Sequence, residues 1–227
     1  MIADPIIIEH EGILVVRDDV LSGGTKRRAI HALFNQNTEY VYPSPVYGYA
    51  QVALAYAARD YGKRATIFCA KRKVHHPLTI EAEEVGAKII EVPHGYLNVV
   101  KYRARDYCGQ TGATLLPFGL DDPRFILALA DVARALPVVP KEVWSIVGSG
   151  VLSRALQLAW PDATFYGVRV GAEPDAGHAI VYTAPELYEH DARELPPFPS
   201  CKNYDAKAWR FIKRHATPGA LFWNVAK

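Results

Sequence analysis

Arg17-Asp18-Asp19-Val20-Leu21-Ser22-Gly23-Gly24-Thr25-Lys26-Arg27-Arg28 is the stretch on which the reading of this chain turns. Before it, Ile13–Arg17 is a short run rich in β-branched residues and reads as a strand. After it, Lys26–Phe34 reads as a helix. The two glycines let the backbone turn tightly and approach a ligand closely. They set Lys26 at the start of a helix, whose positive pole disfavours a protonated amine. Arg27 and Arg28 are expected to push the amine further toward its neutral form, which Schiff-base chemistry requires. A plain surface turn followed by a basic helix face is the competing reading, because Gly-Gly-x-Lys is a short pattern.

Strand and helix signals alternate outward from this turn. Tyr40–Tyr42, Ala65–Cys69, Lys88–Val92, Thr114–Leu116, Val143–Val147, Thr164–Val170 and Leu221–Val225 read as strands. Tyr47–Tyr61, Leu78–Val85, Leu97–Tyr107, Pro123–Leu136, Leu152–Trp160 and Tyr204–His215 read as helices. Gly171–Asn203, with Pro-Pro-Phe-Pro inside it, reads as a long connection. Such alternation predicts an α/β fold with a parallel sheet covered on both faces.

The chain has 227 residues, half of them hydrophobic and 22% charged. That suits one large domain or two small ones, with a core that needs neither disulfides nor metal. The formal charge of +2 means that any polyanion site is a local patch. Candidates for a patch are Lys71, Arg72 and Lys73, joined by Lys101, Arg103 and Arg105 with Tyr96, Tyr102 and Tyr107 interleaved. Core tyrosines beside exposed charges are the simpler account of the second group. Cys69, Cys108 and Cys201 form no disulfide framework and no CxxC pair, so a reduced, cytoplasmic setting is expected. The N-terminus lacks the basic region and the apolar core of a signal peptide. His75-His76 without a carboxylate set predicts no metal site.

A second glycine motif follows strand Val143–Val147: Gly148-Ser149-Gly150-Val151-Leu152-Ser153. A strand–turn–helix of this kind offers backbone N–H groups and a helix dipole to a phosphate. The dinucleotide fingerprint fails, because Ser153 stands where a third glycine belongs and Arg169 where an acid belongs. A Walker A loop is absent. A phosphoribosyltransferase reading lacks the acidic pair before the loop.

These two motifs, in this order, resemble the fold-type II pyridoxal-phosphate (PLP) enzymes. The nearest branch is that of D-cysteine desulfhydrase and aminocyclopropane-carboxylate (ACC) deaminase. Arg17–Asp19 with Gly23–Arg28 resembles the branch's N-terminal signature, YGYAQVALAYAARDYG its small-lobe helix, VWSIVGSGVLSRAL its phosphate loop and LFWNV its last strand. The resemblance implies a compact two-lobed, three-layer α/β architecture. Residues 1–37 and 113–227 would form the larger cofactor-binding lobe and 38–112 the smaller one. It implies Lys26 as the Schiff-base lysine and general acid/base, and Gly148, Ser149, Gly150, Val151 and Leu152 as the phosphate cradle. Tyr49 stands where the family has an asparagine beside the cofactor's 3′-oxygen. Gly48 replaces a hydroxyl-bearing residue, for which Ser44 or Tyr47 would compensate on the substrate side. Asn224 is the polar candidate for the pyridine nitrogen. The implied activity is that of a lyase acting at Cα of an amino acid, a deaminase or desulfhydrase among the options, in a homodimer. A catalytically lapsed PLP-holding module is the alternative. In its reduced size the chain also resembles small virus-encoded members of the fold that decarboxylate amino acids attached to modified thymine in DNA. In that case the basic residues at 71–73 and 101–105 would meet DNA.

Overall fold

A computed structural model describes residues 2–93 and 95–227. In chain order the elements are β1 (Ile7–His10), β2 (Ile13–Arg17), α1 (Gly24–Ala29), β3 (Glu39–Pro43), α2 (Ala50–Asp60), β4 (Arg64–Ala70) and α3 (Pro77–Glu84). There follow β5 (Lys88–Val92), α4 (Leu97–Thr111), β6 (Thr114–Leu115), α5 (Pro123–Arg134), β7 (Glu142–Val147) and α6 (Val151–Ala159). The last are β8 (Thr164–Arg169), β9 (Ile180–Thr183), α7 (Trp209–His215) and β10 (Leu221–Asn224). Two compact units result: residues 1–29 with 123–227, and residues 30–122.

The first unit holds a six-stranded sheet in the order β1-β2-β10-β7-β8-β9. All its pairings are parallel except the antiparallel edge pair β1–β2. Successive side chains of a strand face opposite sides, and here both sides are buried. Val16, Val143, Phe165, Leu221 and Trp223 face a layer that includes Ala130 and Ala133 of α5 and Leu156 of α6. Val15, Trp144, Val168 and Phe222 face Trp209 and Ile212 of α7 together with Phe198. That double burial is why β2, β7 and β10 read as near-continuous apolar runs, with Ser145 the one polar residue inside them. C-terminal strand β10 lies between β2 and β7, so it sets Val225 beside α1, where Thr25 N donates to Val225 O at 3.0 Å.

The second unit holds a parallel four-stranded sheet, β5-β4-β3-β6. Val41, Phe68 and Val92 pack on Val100 and Ala104 of α4.

Several expectations need correction. The helix expected over Lys26–Phe34 is α-helical only to Ala29, with a 3-10 turn over Ile30–Leu33. The helix expected from Tyr47 begins at Ala50, because Ser44–Tyr49 is a turn in which Gly48 N donates to Pro45 O at 3.0 Å. The connection 171–203 contains strand β9, and the N-terminal segment supplies β1. Both are edge strands with exposed apolar residues among them, so neither carries a burial pattern. Among the described residues no helix is long and apolar enough to cross a membrane. The three cysteines are free, and burial raises Cys69 and Cys108 to about 11 and Cys201 to about 12, which keeps them as unreactive thiols.

Candidate active site

The sequence Arg17-Asp18-Asp19 is explained by two buried ion pairs that fix the turn ahead of Lys26. Arg17 grips Asp19 in a bidentate fork, with Nε–Oδ1 at 2.7 Å and NH2–Oδ2 at 2.8 Å. Arg28 donates from Nε and NH2 to Asp18 Oδ1 at 2.8 and 2.7 Å. The second oxygen of Asp18 accepts from Thr25 Oγ1 at 2.7 Å and Trp223 Nε1 at 3.1 Å. With both acids neutralised and fully bonded, their burial is tolerated. Gly23 (φ +85°) and Gly24 (φ +61°) then take the left-handed backbone that brings the chain into α1.

Lys26 extends from α1 into a cavity of the first unit. The space free of atoms there, its mouth included, is about 400 Å³. Phe125 and Leu129 of α5, Ile146 of β7 and Val225 form its apolar wall. Gly148, Ser149, Gly150, Val151 and Leu152 line it too, so the expected Schiff-base lysine and the whole expected phosphate cradle share one cavity. Thr25 and Tyr204 complete the lining. Burial holds the Lys26 amine below the ordinary lysine range, and the carboxylate of Asp205 opposes this. The expected cause, the neighbouring arginines, is not the one at work. Arg28 is neutralised by Asp18, and Arg27 NH1 donates to Ser22 O at 2.9 Å.

The turn after β7 is shaped by contacts that only glycine permits. Gly150 has φ +86°, and a Cβ there would lie 1.8 Å from the backbone oxygen of Asp175. A Cβ on Gly148 would meet the Tyr204 hydroxyl at 2.5 Å. Gly150→Ala is therefore expected to cost more than the ~1–2 kcal/mol of a left-handed non-glycine residue, because backbone must move as well. Denaturant unfolding measures this, and a loss below about 1 kcal/mol would contradict the geometry.

Two residues of the site were not singled out individually by sequence reasoning. Burial of the Tyr204 hydroxyl raises its pKa well above the usual value, and the nearby Gly148 amide opposes this. Asp205 is fully buried. Its Oδ1 accepts from Val225 N at 3.3 Å, while its Oδ2 has no partner among the described residues. Burial pushes its pKa well above the carboxylate range, and Lys26 pulls the other way. Amine and acid thus both favour their neutral forms. The available signal was an acid placed next to a tyrosine at the head of the last helix, but its burial is a tertiary fact.

Asn224 does not line the cavity. Its amide donates to Asp19 Oδ1 and to Pro199 O, each at 2.8 Å, and its oxygen accepts from Ser200 Oγ at 2.8 Å. It is a buried brace of the Arg17–Asp19 pair, with both its amide groups engaged outside the cavity lining.

Ser44, Tyr47, Gly48 and Tyr49 belong to the second unit, in the turn between β3 and α2. Ser44 Oγ donates to Pro45 O at 2.9 Å, and a Cβ on Gly48 would lie 2.8 Å from the Pro45 ring, so Gly48 is demanded by the turn. Tyr47 meets His76 edge-on at 5.0 Å. Lys71, Arg72 and Lys73 are exposed in the loop after β4, and Arg103 and Arg105 are exposed on α4. Lys101 lies over the Phe118 ring at 3.6 Å. His75 pairs with Glu91 at 2.9 Å and His76 caps α3, and no metal-binding cluster occurs among the described residues.

No protein-family model matches the chain, and no curated protein sequence does. Solved structures do. An ACC deaminase homologue superposes with a TM-score of 0.80 at 15% identity, over 94% of this chain and 84% of that one. A hydrogen sulfide-producing enzyme from Fusobacterium nucleatum gives 0.69 at 10% identity, over 98% and 92%. The processed form of threonine deaminase isoform 2 from Solanum lycopersicum gives 0.68 at 10% identity, over 95% and 75%. At these identities the likeness is one of fold, and the chain has the α/β fold of the fold-type II PLP enzymes.

Proposed function

We propose that the chain is a PLP-dependent lyase acting at the Cα of an amino acid. The observation that carries this reading is a buried, neutral-favouring lysine in one cavity with a strand–glycine turn–helix cradle. The residues fit the cofactor in three respects. The cradle presents backbone N–H groups at the start of α6, a helix of nine residues, where an anion is favoured. Gly148 and Gly150 let Tyr204 and the Asp175 carbonyl close on the turn, which holds the cradle in shape. Asp205, outside the cavity lining, keeps an unpartnered buried oxygen and acts electrostatically on Lys26.

Bound PLP supplies a conjugated sink for negative charge at the substrate Cα. The protein's own part begins with Lys26, whose Nζ, its pKa lowered by burial, would hold the cofactor through its aldehyde carbon. When not bound to the cofactor, Nζ would serve as the group that moves a proton to or from the substrate Cα. Asp205, in its ionised form, opposes the loss of charge at Lys26. Phe125, Leu129 and Ile146 exclude water from the amine. Borohydride reduction of PLP-loaded protein, followed by peptide mass spectrometry, tests the reading. A pyridoxyl group on Lys26 is expected; no uptake, or a group spread over surface lysines, overturns it.

Asp205→Asn removes the one carboxylate that opposes burial at Lys26. The Lys26 pKa is then lowered further, so the pH midpoint for cofactor uptake, followed by absorbance, is expected to move to lower pH. An unchanged midpoint would show that Asp205 does not act on the amine.

The finer reading, decarboxylation of an amino acid carried on modified thymine in DNA, is favoured by the exposed Lys71, Arg72, Lys73, Arg103 and Arg105 on the second unit. A gel-shift assay with modified DNA tests it. No binding, together with rapid turnover of a free amino acid such as D-cysteine, selects the deaminase or desulfhydrase alternative. PLP uptake without any turnover selects the lapsed module.

A further inference from the structure

Ser153, which spoils the dinucleotide fingerprint, has a role of its own in this fold. It lies on the first turn of α6, almost fully buried, and its Oγ donates to Ala176 O at 3.0 Å. One turn on, Gln157 is also buried. Its Nε2 donates to the same Ala176 oxygen at 2.7 Å and to Ser153 Oγ at 3.0 Å. Its Oε1 accepts from His178 N at 3.0 Å. Both polar atoms of the Gln157 amide thereby reach one short segment, at Ala176 and His178, and Nε2 reaches Ser153 as well. Arg154 adds a pair to Asp175 at 3.3 Å on the outer side.

The place where that segment is pinned gives the contact its meaning. Gly177, with φ +67°, would drive a Cβ to 2.2 Å from Gln157 Oε1, so any other residue there is strained and displaces the Gln157 amide. The Asp175 carbonyl then occupies the volume a Cβ on Gly150 would take. Gly150 is the left-handed residue that aims the first N–H groups of α6, which have no intrahelical partner. Side chains on the far side of α6 therefore brace the turn by way of a neighbouring backbone segment.

We propose that Ser153 and Gln157 are positioning residues for the phosphate group of the cofactor, acting through residues 175–178 on Gly150. This rests on the reading of Gly148–Leu152 as a phosphate cradle. With either side chain removed, the Ala176 carbonyl loses a buried donor and the segment relaxes from Gly150. The turn N–H groups then lose their common aim, while Lys26 and the apolar wall are untouched.

The test compares two ligands that differ only in the phosphate. PLP and pyridoxal are titrated by absorbance into wild type, Ser153→Ala and Gln157→Leu, each first shown to be folded by circular dichroism. Wild type is expected to bind PLP more tightly than pyridoxal. In each variant the ratio of the two affinities falls by about tenfold or more, as for loss of a buried hydrogen-bond partner. Pyridoxal affinity stays at the wild-type level. A general loosening of the fold would weaken both ligands in parallel, and that outcome overturns the proposal, as does a preserved ratio in both variants. A wild type with no preference for PLP over pyridoxal overturns the cradle reading itself.

Discussion

Lys26→Ala is expected to abolish covalent cofactor attachment and to lower turnover by about 10²–10⁴-fold, the scale of losing a positioned proton-transfer group. Loss of the attachment point adds to that. The pyridoxyl peptide seen by mass spectrometry after reduction should vanish. The same variant makes an opposite prediction for stability. The folded-state pKa of Lys26 lies below its unfolded value, because burial disfavours the ammonium. Between those two values the unfolded chain binds more protons than the folded one, so wild-type stability rises with pH across that window. Alanine removes that pH-dependent penalty. Without cofactor, Lys26→Ala should melt at or above the wild-type temperature near neutral pH, with the difference shrinking as pH climbs toward the ordinary lysine range. A variant that loses activity and also melts well below wild type at neutral pH would mean that Lys26 holds the fold rather than the chemistry.

The parts of this site that were legible in the sequence are those where local chemistry dictates local shape. Gly23-Gly24 before a lysine, and Gly148-x-Gly150 after an apolar strand, announce turns that only glycine can make, and both turns face one cavity. Strands β2, β7 and β10 were legible because burial on both faces leaves no polar alternation to confuse them. Edge strand β9 was not, since Ile180 and Val181 are exposed and sit in a loop-rich stretch. Asp205 was hidden because nothing local marks an acid as buried. Its desolvation comes from a strand end and a helix brought together by the tertiary fold. Asn224 shows a tie of the same kind: it is polar and sits at the expected place on the last strand, and its amide donates to Asp19, 205 positions away in the chain. The reason for the two aspartates after Arg17 was equally non-local. Each one neutralises a different arginine, and one of those arginines lies on the far side of the glycine turn.

Asp18→Asn is expected to be the most destabilising conservative change in the first unit. Asparagine has the same shape and can still accept from Thr25 Oγ1 and Trp223 Nε1. It cannot balance the guanidinium of Arg28, which is only 9% exposed and bonded through both Nε and NH2 to the aspartate, itself 0% exposed. Breaking a buried pair from one side leaves a charge with neither water nor a counter-ion, at a cost of about 3–5 kcal/mol. For a chain of this size that is a fall in melting temperature on the order of 10 °C. The cofactor site should suffer with it, because Asp18 ties together β2, the start of α1 and, through Trp223, the strand that carries Val225 to the cavity. The cause is separable from mere loss of hydrogen bonds. Asp18→Asn combined with Arg28→Met removes the stranded charge, and replacing both partners of a buried pair is far less costly than removing one. The double variant should therefore recover much of the lost stability. If instead the two changes add, the arginine contributes by packing and by its 2.6 Å bond to Ala3 O rather than by its pairing with Asp18.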